Sequence, residues 1–292
     1  MKYSFVLFLI LFISSCCGTK KTVESQPEST KEIAIVTEVP DVIDIKHDID
    51  SEIEVWIEIE ETPIEPKEND IVEDIEIEET LNHKNWDNLL LKYVYKGGRV
   101  DYLAFKRNRN KLLEYIESLK KNLPTDDWSK KEKLAYWINA YNALTIDLIL
   151  RNYPKKSIKD IKDPWDQRLW QFDDKWLNLN DIEHKILRKM DEPRIHFAIV
   201  CASVSCPKLQ NEAFTASNLE EQLTNATKEF LADKSKNEIS QNNLKLSKIF
   251  KWFKKDFEQD GSLIDFLNQY STVIISDSAK KSYKDYNWDL NE

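Results

Sequence analysis

The chain has 292 residues, a formal net charge of −10 and only four glycines. That length allows one or two domains, and with no GxGxxG or GxxxxGK run the common nucleotide-binding loops are excluded. The acidity belongs to one segment: residues 21–80 hold 21 acidic and 4 basic side chains, whereas residues 81–292 hold 31 acidic and 36 basic, a mild excess that is no nucleic-acid footprint.

The chain opens with Lys2 and an unbroken apolar run over residues 5–13. Nine apolar residues fall short of the roughly 20 that cross a bilayer and fit the core of a signal peptide. The run ends in Ile13-Ser14-Ser15-Cys16, an apolar-small-small-cysteine ending of lipobox type. Cys16 fits better than Cys17, because the residue three places before Cys17 is Ser14. The expectation is a signal peptide over residues 1–16, a lipidated Cys16 and a lipid bilayer as partner. The location expected is the bacterial cell envelope, on its periplasmic side or at the cell surface. The competing reading is an ordinary signal peptide whose mature chain begins near two cysteines.

Residues 17–80 read as a linker. Isoleucine and glutamate alternate over residues 53–60 and 75–78, a strand-like period. The polar face would be almost all carboxylate, like charges repel across strands, and Pro40, Pro63 and Pro66 interrupt. A disordered, charge-extended tether is expected instead.

From residue 81 onward the pattern is that of a folded domain. Residues 86–95 have helical spacing and end at Gly97-Gly98; a second helix covers 112–119. Ser129-Lys130-Lys131-Glu132 is a capping box, and the helix behind it runs to Pro154. Asn139 and Asn142 lie one turn apart on it, spacing that suits tying down a buried loop. Asn180 is placed to cap a helix with Glu183 at its third position. Residues 194–201 read as an interior strand with both faces apolar. Helices follow near 217–232, 247–258 and 262–270, with a hairpin at Asn242-Asn243 and a last strand at 273–275. A few strands among many helices, without strict alternation, predict one α+β domain over residues 81–292, helix-rich around a small sheet.

Several of these segments resemble a known family. They are Val100-Asp101-Tyr102, the run 134–143, Leu179-Asn180-Asp181-Ile182-Glu183-His184, and Arg194-Ile195-His196-Phe197-Ala198. Cys201, Ser205-Cys206-Pro207 and Tyr286-Asn287-Trp288 complete the set. In that order, over most of residues 86–290, they resemble the DUF547 domain, a domain of unknown function. The resemblance implies no assigned activity and leaves a thiol function open.

The residues themselves suggest a thiol-dependent hydrolase or acyltransferase working on an amide, ester or peptide. Such chemistry takes a thiolate, an imidazole to generate it and a group to orient the imidazole. The domain offers Cys201 or Cys206, then His184 or His196, then Asn139, Asn142 or Glu183. On one strand, His196 and Cys201 would be five positions apart, on opposite faces and roughly 16 Å apart, so they would not pair. Cys206, in a loop before Pro207, is therefore the expected nucleophile, with His184 before His196 as base. No cofactor and no metal are expected, since the Cys and His spacing matches no familiar zinc site. Three other readings compete for the cysteines: a Cys201–Cys206 disulfide, which a secreted chain permits, burial of Cys201 in the core, and a Zn²⁺ site of His184, His196, Cys201 and Cys206, against which their spacing argues. The alternative function is a non-catalytic binding or scaffold domain. It would dock a protein, peptide or glycan through the aromatic loop that holds Trp165, Trp170 and Trp176.

Overall fold

In the computed structural model, residues 80–292 are described. The expected signal peptide, the lipidated Cys16 and the acidic linker lie outside the described residues.

The architecture is built around one helix. Ser129 accepts from the Glu132 amide at 3.2 Å and the Glu132 carboxylate accepts from the Ser129 amide at 2.7 Å, so the capping box forms and starts the long helix. In chain order the elements are α1 (Lys84–Tyr93), α2 (Tyr102–Arg107), α3 (Arg109–Lys121) and α4 (Lys130–Asn152). Residues 134–150 of α4 are all buried. A helix apolar on every side needs neighbours on every side, and α2 and α3 supply two of them.

The polar groups of α4 are placed where they can bond. Asp147, fully buried, accepts from Arg109, from Arg151 and from the Trp170 indole at 2.8, 2.8 and 2.9 Å. Asn139 donates to the Phe214 carbonyl at 2.7 Å and accepts from the Phe214 amide at 3.0 Å. Asn142 brackets the next loop in the same way, donating to Ala198 O and accepting from Val200 N, both at 2.9 Å. These asparagines hold irregular backbone against the central helix, which satisfies buried amides that no ladder serves.

A two-stranded hairpin, β1 (Trp170–Phe172) and β2 (Lys175–Leu177), follows α4. The stretch 181–186 then turns as a wide π-helical segment. Its first amide is capped by Asn178, 2.7 Å away; the expected cap, Asn180, is itself helical and makes no capping bond.

Residues 194–201 are not a strand. They form a helical turn, α5 (Ile195–Ala198), followed by extended chain. An apolar run this short is ambiguous between strand and buried helix, and the deciding factor is tertiary. Among the described residues no strand lies alongside to pair with it, whereas Arg194 at its start is fixed by Glu192 (2.7 Å) and Glu220 (2.5 Å).

The rest of the chain is α6 (Leu219–Ala232), β3 (Glu238–Ile239), β4 (Asn243–Leu246), α7 (Ile249–Trp252), α8 (Lys254–Phe257), α9 (Leu263–Tyr270) and β5 (Lys280–Tyr283). The helix expected over 247–258 is thus broken at Phe253, and the last strand lies at β5, not at 273–275, where Ile274 is exposed. β3 and β4 form the expected hairpin, and β5 joins β4 in parallel. Phe197, Phe230, Phe250, Phe257 and Phe266 form a second core in which Phe197 lies 5.2 Å from Phe230 and 5.6 Å from Phe257. This aromatic core fixes α5 against α7, α8 and α9. Among the described residues no helix is long and apolar enough to cross a membrane. The α+β class holds.

Candidate functional site

Each ring that builds the second core has a polar neighbour in sequence. Phe197 sets the position of His196, and Phe257 sets that of Asp256. The two polar groups meet: His196 Nε2 lies 2.8 Å from Asp256 Oδ2. Arg188 grips the same carboxylate from the other side with two bonds, Nε at 2.6 Å and a terminal nitrogen at 2.7 Å. Burial pushes Asp256 up, but the bonds from Arg188 and His196 outweigh it and hold the carboxyl well below its usual range. Asp256 is therefore ionised, and His196 donates its Nε2 proton to it, which leaves Nδ1 as the acceptor of the neutral ring. Burial lowers His196 despite the carboxylate, so the ring is neutral near pH 7. It is stacked on Phe253 at 3.9 Å.

Arg188 also bonds His184 Nδ1 at 2.9 Å. A guanidinium only donates, so Nδ1 of His184 accepts and its proton sits on Nε2. Burial, then the Arg188 charge, lowers this imidazole too.

The cysteines meet in a disulfide, Cys201–Cys206, with Cα atoms 6.3 Å apart. In this state neither is a thiolate, and of the competing readings the disulfide is the one found. Cys206, expected to be the accessible sulfur, is buried, while Cys201 is half-buried. The loop closes through Ala202, whose φ of +58° is a left-handed conformation unusual for a residue with a Cβ.

Residues 286–291 run along this loop, with Val204 N bonded to Asp289 O at 2.8 Å and Ser203 paired to Leu290. That register brings the Tyr286 hydroxyl to 3.3 Å from Cys201 Sγ and 3.2 Å from Cys206 Sγ. Burial raises the Tyr286 phenol well above its ordinary value, so it is a proton donor beside the sulfurs at any physiological pH.

Disulfide, histidines and aromatics line one pocket of about 250 Å³. Cys201, Cys206, His184, His196 and Glu183 all reach it, as do Trp165, Trp252 and Trp288. Glu183 accepts from the Tyr141 hydroxyl at 3.1 Å; burial raises its carboxyl to about 7, against the lowering effect of that bond and of Arg188. The helical turn α5 is what admits His196 and Cys201 to the same pocket, correcting the strand geometry that would have kept them apart. The hydrogen bonds that the two imidazoles make run to Arg188 and Asp256, not to sulfur.

Asn139 is elsewhere. Fully buried, it spends both amide atoms on Phe214 and does not line the pocket. Asn142 touches the site only through the backbone one and three residues before Cys201. Trp170 is core and Trp176 is exposed on the hairpin; of the expected aromatic loop, only Trp165 reaches the pocket. Asp256, Arg188 and Trp252 were not picked out by sequence reasoning, and Tyr286 entered only as part of the resembling segment Tyr286-Asn287-Trp288, with no role at a site. Asp256 sits among lysines that read as a solvated face, and only its later contact with His196 marks it. Among the described residues no group of His, Cys, Asp and Glu is arranged to hold a metal ion.

In a reduced chain this set could support acyl transfer: a sulfur, an imidazole with a free nitrogen, a carboxylate that fixes its tautomer, and a phenol donor. In the oxidised chain it is an aromatic pocket with a disulfide in its wall. No curated protein and no solved structure matches the chain. Residues 125–231, from the turn before α4 to the end of α6, match the sequence model of a family described as a protein of unknown function, DUF547; the chain carries a DUF547 domain.

Proposed function

We propose that the domain is a thiol-dependent acyl-transfer enzyme, a hydrolase or acyltransferase, with the Cys201–Cys206 disulfide as its resting form. The observation that carries this reading is the Arg188–Asp256–His196 chain, which ends on an imidazole in the pocket that Cys201 also lines. Cys201 replaces Cys206 as nucleophile because it is the more exposed residue of the two. A dithiol reductant is oxidised to its disulfide as Cys201–Cys206 becomes two thiols. His196 Nδ1 then takes the Cys201 proton, and the thiolate attacks the acyl carbon of an ester or amide. The C–O or C–N bond breaks, the imidazolium returns the proton to the leaving alcohol or amine, and a thioester remains. Water or an amine attacks the thioester, releases the acyl product and restores the thiol. Asp256 holds the imidazole in the tautomer this requires, and Arg188 holds Asp256.

The test uses the full chain with p-nitrophenyl acetate, read by mass spectrometry for an acetyl group on Cys201. Wild type should acylate only after reduction, and Cys206→Ser should acylate without reductant, because its Cys201 has no partner. His196→Ala should slow acylation by about 10²–10⁴-fold. If reduced wild type and Cys206→Ser both stay unmodified, the thiol reading is wrong and the pocket is a binding site only.

The setting we propose is a membrane surface, with the domain tethered through an acylated Cys16. The lipobox-type ending at Cys16 and the acidic linker support it. Incorporation of labelled palmitate that disappears in Cys16→Ala would bear it out; incorporation unchanged in that variant, or none in either chain, would overturn it.

A further inference from the structure

The pocket has a recognition chemistry of its own. Its outer wall is a run of electron-rich rings. Tyr286 and Trp288 are 4.4 Å apart, Trp252 and Tyr286 4.8 Å, Trp252 and Trp288 5.7 Å, and Trp165 and Trp288 5.8 Å. Among the described residues Glu183 is the one carboxyl in the lining, and no lysine or arginine lines the pocket. The Arg188 guanidinium, whose charge reaches Glu183 and His184, is paired with the Asp256 carboxylate by two bonds.

Ring faces carry negative potential, and several of them around a single carboxyl make a site that favours a cation over a neutral group of equal shape. The chain already uses one of these rings in this way: the Lys159 ammonium sits 4.7 Å from the centre of Trp288. An anion would meet Glu183 and the ring faces together, and a neutral alkyl group would gain apolar contact alone. Trp252 is 45% exposed, so the wall is reachable from solvent.

We propose that this pocket binds the alkylammonium end of its ligand, with Glu183 as the counter-charge and Trp252, Tyr286 and Trp288 as the faces that enclose it. As a statement about substrate it rests on the acyl-transfer reading, in which the ammonium would mark an amine-bearing donor or acceptor. As a statement about binding it stands without the thiol.

The probes are choline and its neutral isostere 3,3-dimethyl-1-butanol, titrated calorimetrically into the oxidised full chain. The pH is set about one unit above the value of about 7 to which burial raises Glu183, so that its carboxylate is charged. The other groups around it keep their charge state there: Tyr141 and Tyr286 are raised, His184 and His196 are lowered, Asp256 is ionised and Arg188 is protonated. Choline should bind about tenfold tighter than the isostere. Glu183→Gln should bring the two probes together, and Trp252→Ala, at an exposed position, should weaken choline by a similar factor. Equal affinity for the two probes, no binding of choline, or a preference that survives both variants overturns the proposal. The two readings are separated by redox state: choline is titrated into the oxidised chain, in which Cys201 and Cys206 are paired and no thiolate forms, whereas acylation is read on the reduced chain, so either can fail without the other.

Discussion

Asn142→Ala tests whether the central helix positions the site. The wild-type side chain is 1% exposed and makes two bonds of 2.9 Å, one to the Ala198 carbonyl and one from the Val200 amide. The first closes the helical turn α5 and the second lies in the extended stretch that enters Cys201, and neither has a ladder partner. Alanine removes two hydrogen bonds and leaves a buried carbonyl and a buried amide without partners, at about 1–3 kcal/mol for each orphaned group. Better helix propensity returns about 0.6 kcal/mol. The expected net loss is therefore roughly 3 kcal/mol. The assay is urea unfolding of the oxidised full chain, followed by tryptophan fluorescence. Asn152→Ala on the same helix is the control. Its amide bonds the Leu148 carbonyl at 2.8 Å, at a half-buried position where water can substitute, so its loss should stay within about 0.5 kcal/mol. An Asn142→Ala loss below about 1 kcal/mol would refute the reasoning, because the loop would then be held by something other than this bracket.

Three further outcomes follow from the same contacts. Glu183 has a folded value of about 7 against an ordinary 4.5, so the folded chain holds more protons than the unfolded one between those two values. Its contribution is fully present below 4.5 and is lost as pH rises through 7, a decline of up to about 3 kcal/mol; Glu183→Gln should flatten that slope in urea midpoints, and an unchanged slope would show that the carboxyl is not protonated in the fold. Reduction of Cys201–Cys206, which closes a short loop, should lower stability by about 2 kcal/mol by the loop-entropy relation, with Cys201→Ser and Cys206→Ser unfolding alike; a midpoint insensitive to dithiothreitol would show that the sulfurs are unpaired. Gly98 has φ +77°, and a Cβ there would lie 2.2 Å from Lys208 Cβ, so Gly98→Ala should cost more than about 2 kcal/mol in the same unfolding assay; a neutral result would mean that the turn relaxes freely.

Sequence and structure agree best where the signal is local. The capping box at Ser129 names its own helix, and the asparagine pair one turn apart points to loop anchoring before any loop is seen. The α+β class follows from the mixture of patterns. Disagreement begins where a short segment takes its conformation from neighbours distant in sequence. Residues 194–201 alternate like a strand, yet Arg194 is caught by two glutamates and Phe197 by an aromatic core that assembles from α6 to α9, so the segment turns. That single difference changes the site, because a turn brings His196 and Cys201 to one pocket where a strand would separate them. Asp256 shows the same limit more sharply. Its partners Arg188 and His196 are 68 and 60 residues away in sequence, and nothing in the lysine-rich helix around it announces a carboxylate that must stay ionised. The sulfur pairing was legible only as one of several options, since chain spacing allows the loop but does not decide its redox state.

Residues 286–291 impose an order on assembly. They supply the phenol over both sulfurs and one aromatic face of the pocket, yet on a ribosome they emerge after every other wall of it. Until they pair with the loop between Cys201 and Cys206, both cysteines lack the cover that this segment gives them in the finished fold.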